Sequence, residues 1–161
     1  ASLLLLVAML PWGIGLGQEK VAPQIEAAIR IPLLHIADAT AQVLLKAGVD
    51  RIGLLGTRFT MEQAFYRERL EAKGIAVLTP NATQRDRIHQ IIYEELCQGI
   101  ISERSRAEYL AVVDELAAEG AQGAILGCTE IGLLIQQAHT AVPLYDTTRI
   151  HAEQAVSYAL G

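Results

Sequence analysis

The sequence predicts an α/β fold in which a parallel sheet is covered by helices on both faces. Short apolar runs that end in glycine or threonine alternate along the chain with longer segments of helical periodicity. Such alternation is typical of parallel sheets, whose strands are joined by crossover helices. Hydrophobic residues make up 52% of the 161 residues and charged residues 19%, so the chain has enough apolar material for a core.

The predicted strands are apolar runs that are too short for most helices. Few polar residues interrupt them, which is typical of strands buried on both faces of a sheet. The first run, residues 3–10, has eight residues, far fewer than the roughly 20 that a membrane-spanning helix needs. A buried strand is expected there, with a secretory or membrane-directed leader or a disordered segment as alternatives. Further strands are expected at 30–36, 51–57, 75–79, 121–127 and 141–145.

The predicted helices have apolar residues three and four positions apart and glycines at their ends. Pro23 suits the first turn of a short helix, and Gly48 ends the helix predicted for 37–47. Thr60 is the expected cap of a helix that runs to Lys73 before Gly74. The remaining helices are expected at 85–100, 105–119 and 150–160.

Composition excludes several classes of function. Thirteen Lys and Arg against eighteen Asp and Glu give a net charge of −5, which argues against nucleic acid or anionic membranes as partners. Two cysteines are too few for a disulfide framework and are typical of a reducing compartment, so a cytoplasmic protein is expected. The four histidines show no metal-ligand spacing with each other or with the cysteines, so no metal site is predicted.

Three predicted strands end in small hydroxyl residues just before a helix. In parallel sheets ligands bind beyond the carboxyl ends of the strands, and free N–H groups at helix starts favour a carboxylate. Thr57, Thr60 and Thr129 are therefore candidate ligand-binding residues, although each could equally be only a helix cap. The three strand exits are 56–60, 127–130 and 146–148.

The two cysteines differ in their predicted surroundings. Cys128 follows an apolar strand and precedes a helix, which favours a lowered pKa and a usable proton acceptor or nucleophile, with core packing as the alternative. Cys97 lies within a predicted helix, where a packed and inert thiol is expected. Glu130 either tunes Cys128 or is only an acidic residue in a first helical turn.

Four segments together resemble the aspartate/glutamate racemase family, in the order and spacing of that family. The resemblance extends from Lys20 to the end of the chain. The segments are IPLLHIAD at 31–38, GLLGTRFTME at 53–62, GCTEI at 127–131 and DTTRIHA at 146–152.

The resemblance implies a cofactor-independent racemase of acidic amino acids. Members of this family have two similar α/β domains, each supplying one acid/base group, usually a cysteine, to opposite faces of the substrate Cα. Cys128 matches the cysteine of the second domain, and three threonines match positions at or beside the substrate carboxylate. Lys20 matches a lysine that follows the first catalytic motif and is a candidate substrate-binding residue, and His35 and Glu130 are supporting candidates. The three threonines are Thr57, Thr60 and Thr129.

The chain departs from the family pattern before Lys20. Gly15, Leu16 and Gly17 stand where the family carries its first catalytic residue and an Asn-Thr motif, and glycine cannot carry a proton. A truncated and impaired racemase is therefore expected, or else a non-catalytic module that only binds a small dicarboxylate. An incomplete sheet with exposed edges also predicts a homo-oligomer.

The same departure predicts four regions. They are an atypical hydrophobic segment at 1–19, a remnant of the first domain at 20–49, the second domain at 50–145, and a C-terminal return to the first domain at 146–161.

Overall fold

A computed structural model describes residues 35–160 and contains one four-stranded parallel sheet. Across this sheet the strands lie in the order 76–78, 51–55, 124–126 and 144–146, so the first of the described strands lies inside the sheet. The predicted α/β class is confirmed. The strands are β1 (Arg51–Leu55), β2 (Ala76–Leu78), β3 (Ala124–Leu126) and β4 (Leu144–Asp146).

Helices connect the strands and cover both faces of the sheet. Single 3-10 turns at Leu96–Gln98 and Gln137–His139 join some of them. The helices are α1 (Ile36–Lys46), α2 (Arg58–Glu62), α3 (Ala64–Glu71), α4 (Ala82–Glu94), α5 (Glu103–Ala118), α6 (Ile131–Leu134) and α7 (Thr147–Leu160).

Two hydrophobic clusters form the core of the part of the chain that the structure describes. The α5 cluster contains Tyr109, Leu116, Leu126 and Cys128 with residues of α4 and α6. The α1 cluster contains Leu44 and Tyr66 together with apolar residues of β1 and β3, and the Tyr66 hydroxyl donates to Thr40 Oγ1 at 3.2 Å. The sheet therefore contributes to both clusters, as expected for strands that are apolar on both sides.

Several predicted boundaries were wrong, and local hydrogen bonds explain why. Ile36 is the first residue of α1 rather than the end of a strand, because the His35 side chain caps that helix. The helix expected from Thr60 to Lys73 begins earlier, with Thr57 as its cap, and is interrupted at Gln63, whose backbone is extended.

The helix predicted for 85–100 also starts earlier and ends sooner. Asn81 and Gln84 form a capping box, in which each side chain accepts a hydrogen bond from the backbone N–H of the other residue. The α-helix ends at Glu94, and Gly99 then adopts a left-handed backbone after a 3-10 turn.

Several predictions fall outside the described residues. They concern the strands at 3–10 and 30–34, the helix after Pro23, Gly15 to Gly17, and Lys20. No helix between residues 35 and 160 is both long enough and apolar enough to cross a membrane.

Candidate active site

The ends of β1 and β3 bring two of the predicted strand exits side by side. Leu55 pairs with Leu126, and the Gly127 N–H donates to the Leu55 carbonyl oxygen at 2.7 Å. A Cβ on Gly127 would lie 2.8 Å from that oxygen and 3.2 Å from Thr60 Cγ2. Glycine at this position therefore lets the segment before Cys128 pass directly beside Thr60.

Thr57 and Thr60 form a buried hydroxyl pair at the end of β1. Their Oγ1 atoms lie 3.2 Å apart, and Thr57 Oγ1 also accepts from the Thr60 N–H at 3.3 Å. Thr57 is therefore the cap of α2, whereas Thr60 lies inside that helix.

The third strand exit is tied to the second by a buried threonine. Thr147 Oγ1 donates to the Leu126 carbonyl oxygen at 2.9 Å, which fixes the start of α7 against the end of β3. Asp146 Oδ1 accepts from the Thr148 N–H at 2.9 Å, so this carboxylate acts as a local cap.

The Cys128 segment contains a second pair of polar groups. The Cys128 thiol is 3% exposed and donates to Glu130 Oε2 at 2.8 Å. The exposed Thr129 hydroxyl donates to the same oxygen at 2.7 Å. One carboxylate oxygen therefore accepts both hydrogen bonds.

The family model that describes Asp/Glu/Hydantoin racemase matches residues 17–155. The chain belongs to this racemase family. The matched range includes all three of the predicted strand exits.

Two solved structures resemble the chain in both sequence and fold. A Yersinia pestis protein described as a candidate Asp/Glu racemase is 58% identical with a TM-score of 0.85. PH1733 of Pyrococcus horikoshii OT3, an aspartate racemase homologue, is 34% identical with a TM-score of 0.82. Each comparison covers 89% of this chain and 63% of the other, so the chain spans less than two thirds of either structure.

Two curated relatives extend the comparison. The broad specificity amino-acid racemase RacX of Bacillus subtilis (strain 168) is 23% identical over 134 residues, covering 83% of this chain and 57% of RacX. An uncharacterized protein in the pnlA 3' region of Pectobacterium carotovorum subsp. carotovorum is 31% identical over 108 residues, covering 67% of this chain and 71% of that protein.

In this member of the racemase family, the pKa of the Cys128 thiol is shifted in the direction opposite to the one predicted from the sequence. Burial raises the pKa of the Cys128 thiol well above its usual range, and the hydrogen bond to the Glu130 carboxylate raises it further. The predicted lowering was wrong because α6 begins only at Ile131 and has four residues, while the thiol is buried beside an acid. At neutral pH Cys128 therefore holds its proton.

Glu130 responds in the opposite direction. Burial alone would raise its pKa, but the hydrogen bonds from Cys128 and Thr129 outweigh burial and lower the pKa of this carboxyl. The pair is therefore a neutral thiol beside an ionised carboxylate.

Cys97 is exposed on the 3-10 turn between α4 and α5, so the predicted packed thiol was wrong. The helix ends at Glu94, and the turn directs Cys97 outward while Leu96 is buried. Partial burial and the nearby Glu130 carboxylate raise the pKa of Cys97.

The exposures of the two thiols predict their order of chemical labelling. We expect iodoacetamide to label Cys97 about tenfold or more faster than Cys128 near neutral pH, because Cys128 is buried and protonated. Peptide mass spectrometry after timed quenching measures both rates, and a Cys97→Ser chain isolates the slower one. Faster labelling of Cys128 would contradict this arrangement.

An aromatic row lies beside the site, and the sequence pattern did not predict it. The His89 ring lies 4.6 Å from Tyr93 and 6.4 Å from Phe59, measured between ring centroids. His89 Nδ1 also accepts from the Arg58 N–H at 3.3 Å, which joins α4 to the start of α2. The four-residue spacing of His89 and Tyr93 indicates that they share one face of a helix. That Phe59 lies beside them follows from the fold and not from the sequence.

His35 has a structural role in the described contacts. Its Nδ1 accepts from the Ala37 N–H at 3.1 Å, and its ring packs at 6.4 Å against Phe65. Burial, together with Arg69 and His151, lowers the pKa of His35 to about 4, which keeps Nδ1 free to accept that bond. Between residues 35 and 160, no group of three His, Cys, Asp or Glu side chains could hold a metal ion.

Proposed function

We propose that the chain supplies one half-site of a cofactor-independent racemase for acidic amino acids, with Cys128 moving the Cα proton. The observation that carries the proposal is the meeting of a thiol–carboxylate pair and a buried threonine pair at one edge of the sheet. Racemase names among the relatives support the reaction, and the names aspartate and Asp/Glu support the substrate class. In this proposal residues 50–145 form the second domain, with 20–49 and 146–161 belonging to the first.

The threonine pair is suited to holding a substrate carboxylate. Two hydroxyl groups have two protons, and the hydrogen bond between Thr57 and Thr60 uses only one of them. The other proton is available to a carboxylate oxygen. Thr129 is exposed beside Cys128, and its hydroxyl can turn from Glu130 towards a ligand.

The thiol suits proton transfer because it can act in both directions. As a thiolate, Cys128 removes the Cα proton and forms an S–H bond, and the electron pair remains on the carbanion. As a thiol, it gives a proton to that carbanion and becomes a thiolate. Inversion needs a second group on the opposite face. By the family resemblance Lys20 is proposed as a substrate-binding residue, and His35, which caps α1, as a supporting residue.

A second candidate is a module that binds a small dicarboxylate without inverting it. Gly15 favours this candidate, because by resemblance it occupies the place of the opposite acid/base residue. One thiol can exchange the Cα proton with solvent but returns it to the same face.

An exchange experiment tests the proposal and separates the two candidates. The purified chain is incubated with L-aspartate or L-glutamate in deuterium oxide, with Cα exchange followed by proton NMR and enantiomers by chiral chromatography. We expect exchange with retention and negligible inversion by the chain alone, because Cys128 is the proton carrier of the proposed half-site and, by resemblance, Gly15 stands in the place of the second one. Exchange together with inversion would show a second acid/base group. Absence of both exchange and inversion would support the binding module instead.

We also propose that the chain works in the cytoplasm as a homo-oligomer. The support is the two free thiols and the exposed apolar side chains Leu45, Leu133 and Val156, which are 48%, 59% and 57% exposed. Exposed apolar groups of this kind favour association.

A further inference from the structure

We propose that Glu130 is a positioning residue that keeps the proton on Cys128, so that this half-site rests as the proton donor. The inference rests on the proposed function, since it assigns a direction to Cys128 within that reaction. In a two-base reaction one group begins protonated and the other does not. Residues 128–130 of this chain decide that state for Cys128.

The hydrogen-bond geometry gives the thiol proton a defined acceptor. Glu130 Oε2 lies 2.8 Å from Cys128 Sγ and 2.7 Å from Thr129 Oγ1. Because an ionised carboxylate can only accept, both protons must be on the donors. Both hydrogen bonds lie within three consecutive residues, so the acceptor and the thiol move together.

The backbone around the pair is held at both ends. The Ile131 N–H donates to the Cys128 carbonyl oxygen at 3.2 Å, which closes a tight turn. Arg106 Nε donates to the Leu134 carbonyl oxygen at 2.8 Å, which fixes the end of α6 to α5. Glu130 therefore approaches Cys128 from a constrained segment rather than from a free loop.

The other titratable groups around Cys128 do not stabilise a thiolate. Cys97 faces it from the 3-10 turn, Tyr93 from α4 and Tyr109 from α5. With their raised pKa values these three groups are uncharged near neutral pH, so they do not neutralise a thiolate. Among the groups named here, the Glu130 carboxylate carries the charge that acts on the sulfur.

The proton balance follows from this arrangement. When Cys128 donates, its S–H bond breaks, a C–H bond forms at the carbanion, and a thiolate remains beside the Glu130 carboxylate. Repulsion between these charges makes the thiolate a strong base, which recovers a proton from solvent or, in the reverse direction, from Cα. Glu130 therefore favours the thiol between turnovers and strengthens the base formed during them.

The test is a titration of the thiol that requires no turnover. In the full chain carrying Cys97→Ser, Cys128 is the only thiol, and its ionisation can be followed by the ultraviolet absorbance of the thiolate. We expect Glu130→Gln to increase the thiolate fraction about tenfold at a fixed pH below the midpoint, because the amide keeps the shape but loses the charge. Glu119→Gln, at an exposed position after α5, is the matched control and should leave the titration unchanged.

A second variant guards against a folding defect in Glu130→Gln. Thr129→Val removes the other donor to Glu130 Oε2, so the carboxylate should hold the thiol proton more strongly and the thiolate fraction should fall. Unchanged titration in Glu130→Gln with a native circular dichroism spectrum, or a rise in Thr129→Val, would overturn the inference. If the variants show these titration shifts but the parent chain does not exchange the substrate Cα proton, the result would instead count against the proposed racemase function.

Discussion

Replacing Cys128 with serine should reduce exchange of the substrate Cα proton by about 10²–10⁴-fold, the usual contribution of a positioned acid/base group. A serine hydroxyl fits the space of the thiol but is far less acidic, so it neither forms an anion nor delivers a proton at a useful rate. The hydrogen bond to Glu130 can be kept, because a hydroxyl also donates. The deuterium exchange of L-aspartate, followed by proton NMR, measures the effect.

Cys97→Ser is the matched control for this substitution. It makes the same chemical change at the exposed thiol on the 3-10 turn, and we expect exchange within about twofold of the parent chain because that side chain is largely in solvent. Equal losses in the two variants would remove Cys128 from its proposed role. Thermal unfolding of both chains checks that the buried substitution has not simply unfolded the protein.

The parallel sheet could be predicted because its signals are local. Strands β1 and β3 are short apolar runs, and each is followed by a glycine and then a threonine before the next helix. Because parallel strands end at the same edge, the sequence also indicated that Thr57 and Cys128 would leave the sheet together. The pairing of Leu55 with Leu126 agrees with that expectation.

The electrostatic state of the thiol could not be predicted from the same pattern. A cysteine before a helix favours a thiolate only if the helix is long enough and the sulfur is not buried, and both conditions depend on tertiary structure. Here α6 has four residues, Cys128 is buried, and Glu130 accepts its proton. The outward position of Cys97 likewise depends on the early end of α4.

Helix starts were missed where a side chain closes a hydrogen bond upstream of the apolar pattern. His35, Thr57 and Asn81 each accept from a backbone N–H two or three residues later and so begin a helix earlier than predicted. Periodicity detects only the buried face of a helix, whereas the cap depends on the orientation of one polar side chain. The consequence for the site is that Thr60 lies within α2, beside Gly127, and is not the cap.

Gly127→Ala should destabilise the protein by about 3 kcal/mol, at the upper end for an overpacked core position. The added Cβ would lie 2.8 Å from the Leu55 carbonyl oxygen, a backbone atom of β1 that cannot turn away, and 3.2 Å from Thr60 Cγ2. Relief of this contact requires β3 to separate from β1 at the edge where the thiol and the threonine pair meet. The measurement is the free energy of unfolding from urea titrations of the parent and variant chains.

Gly48→Ala is the control that separates steric contact from the loss of glycine itself. Gly48 has a left-handed backbone with φ of 72°, and a Cβ added there would have no neighbouring atom within 4 Å, so alanine should cost only about 1 kcal/mol in backbone strain. Gly127 has no left-handed backbone, so its larger cost must come from the neighbouring strand. A smaller loss for Gly127→Ala than for Gly48→Ala would contradict the close approach of the two strand exits, and with it the shared site of Thr60 and Cys128.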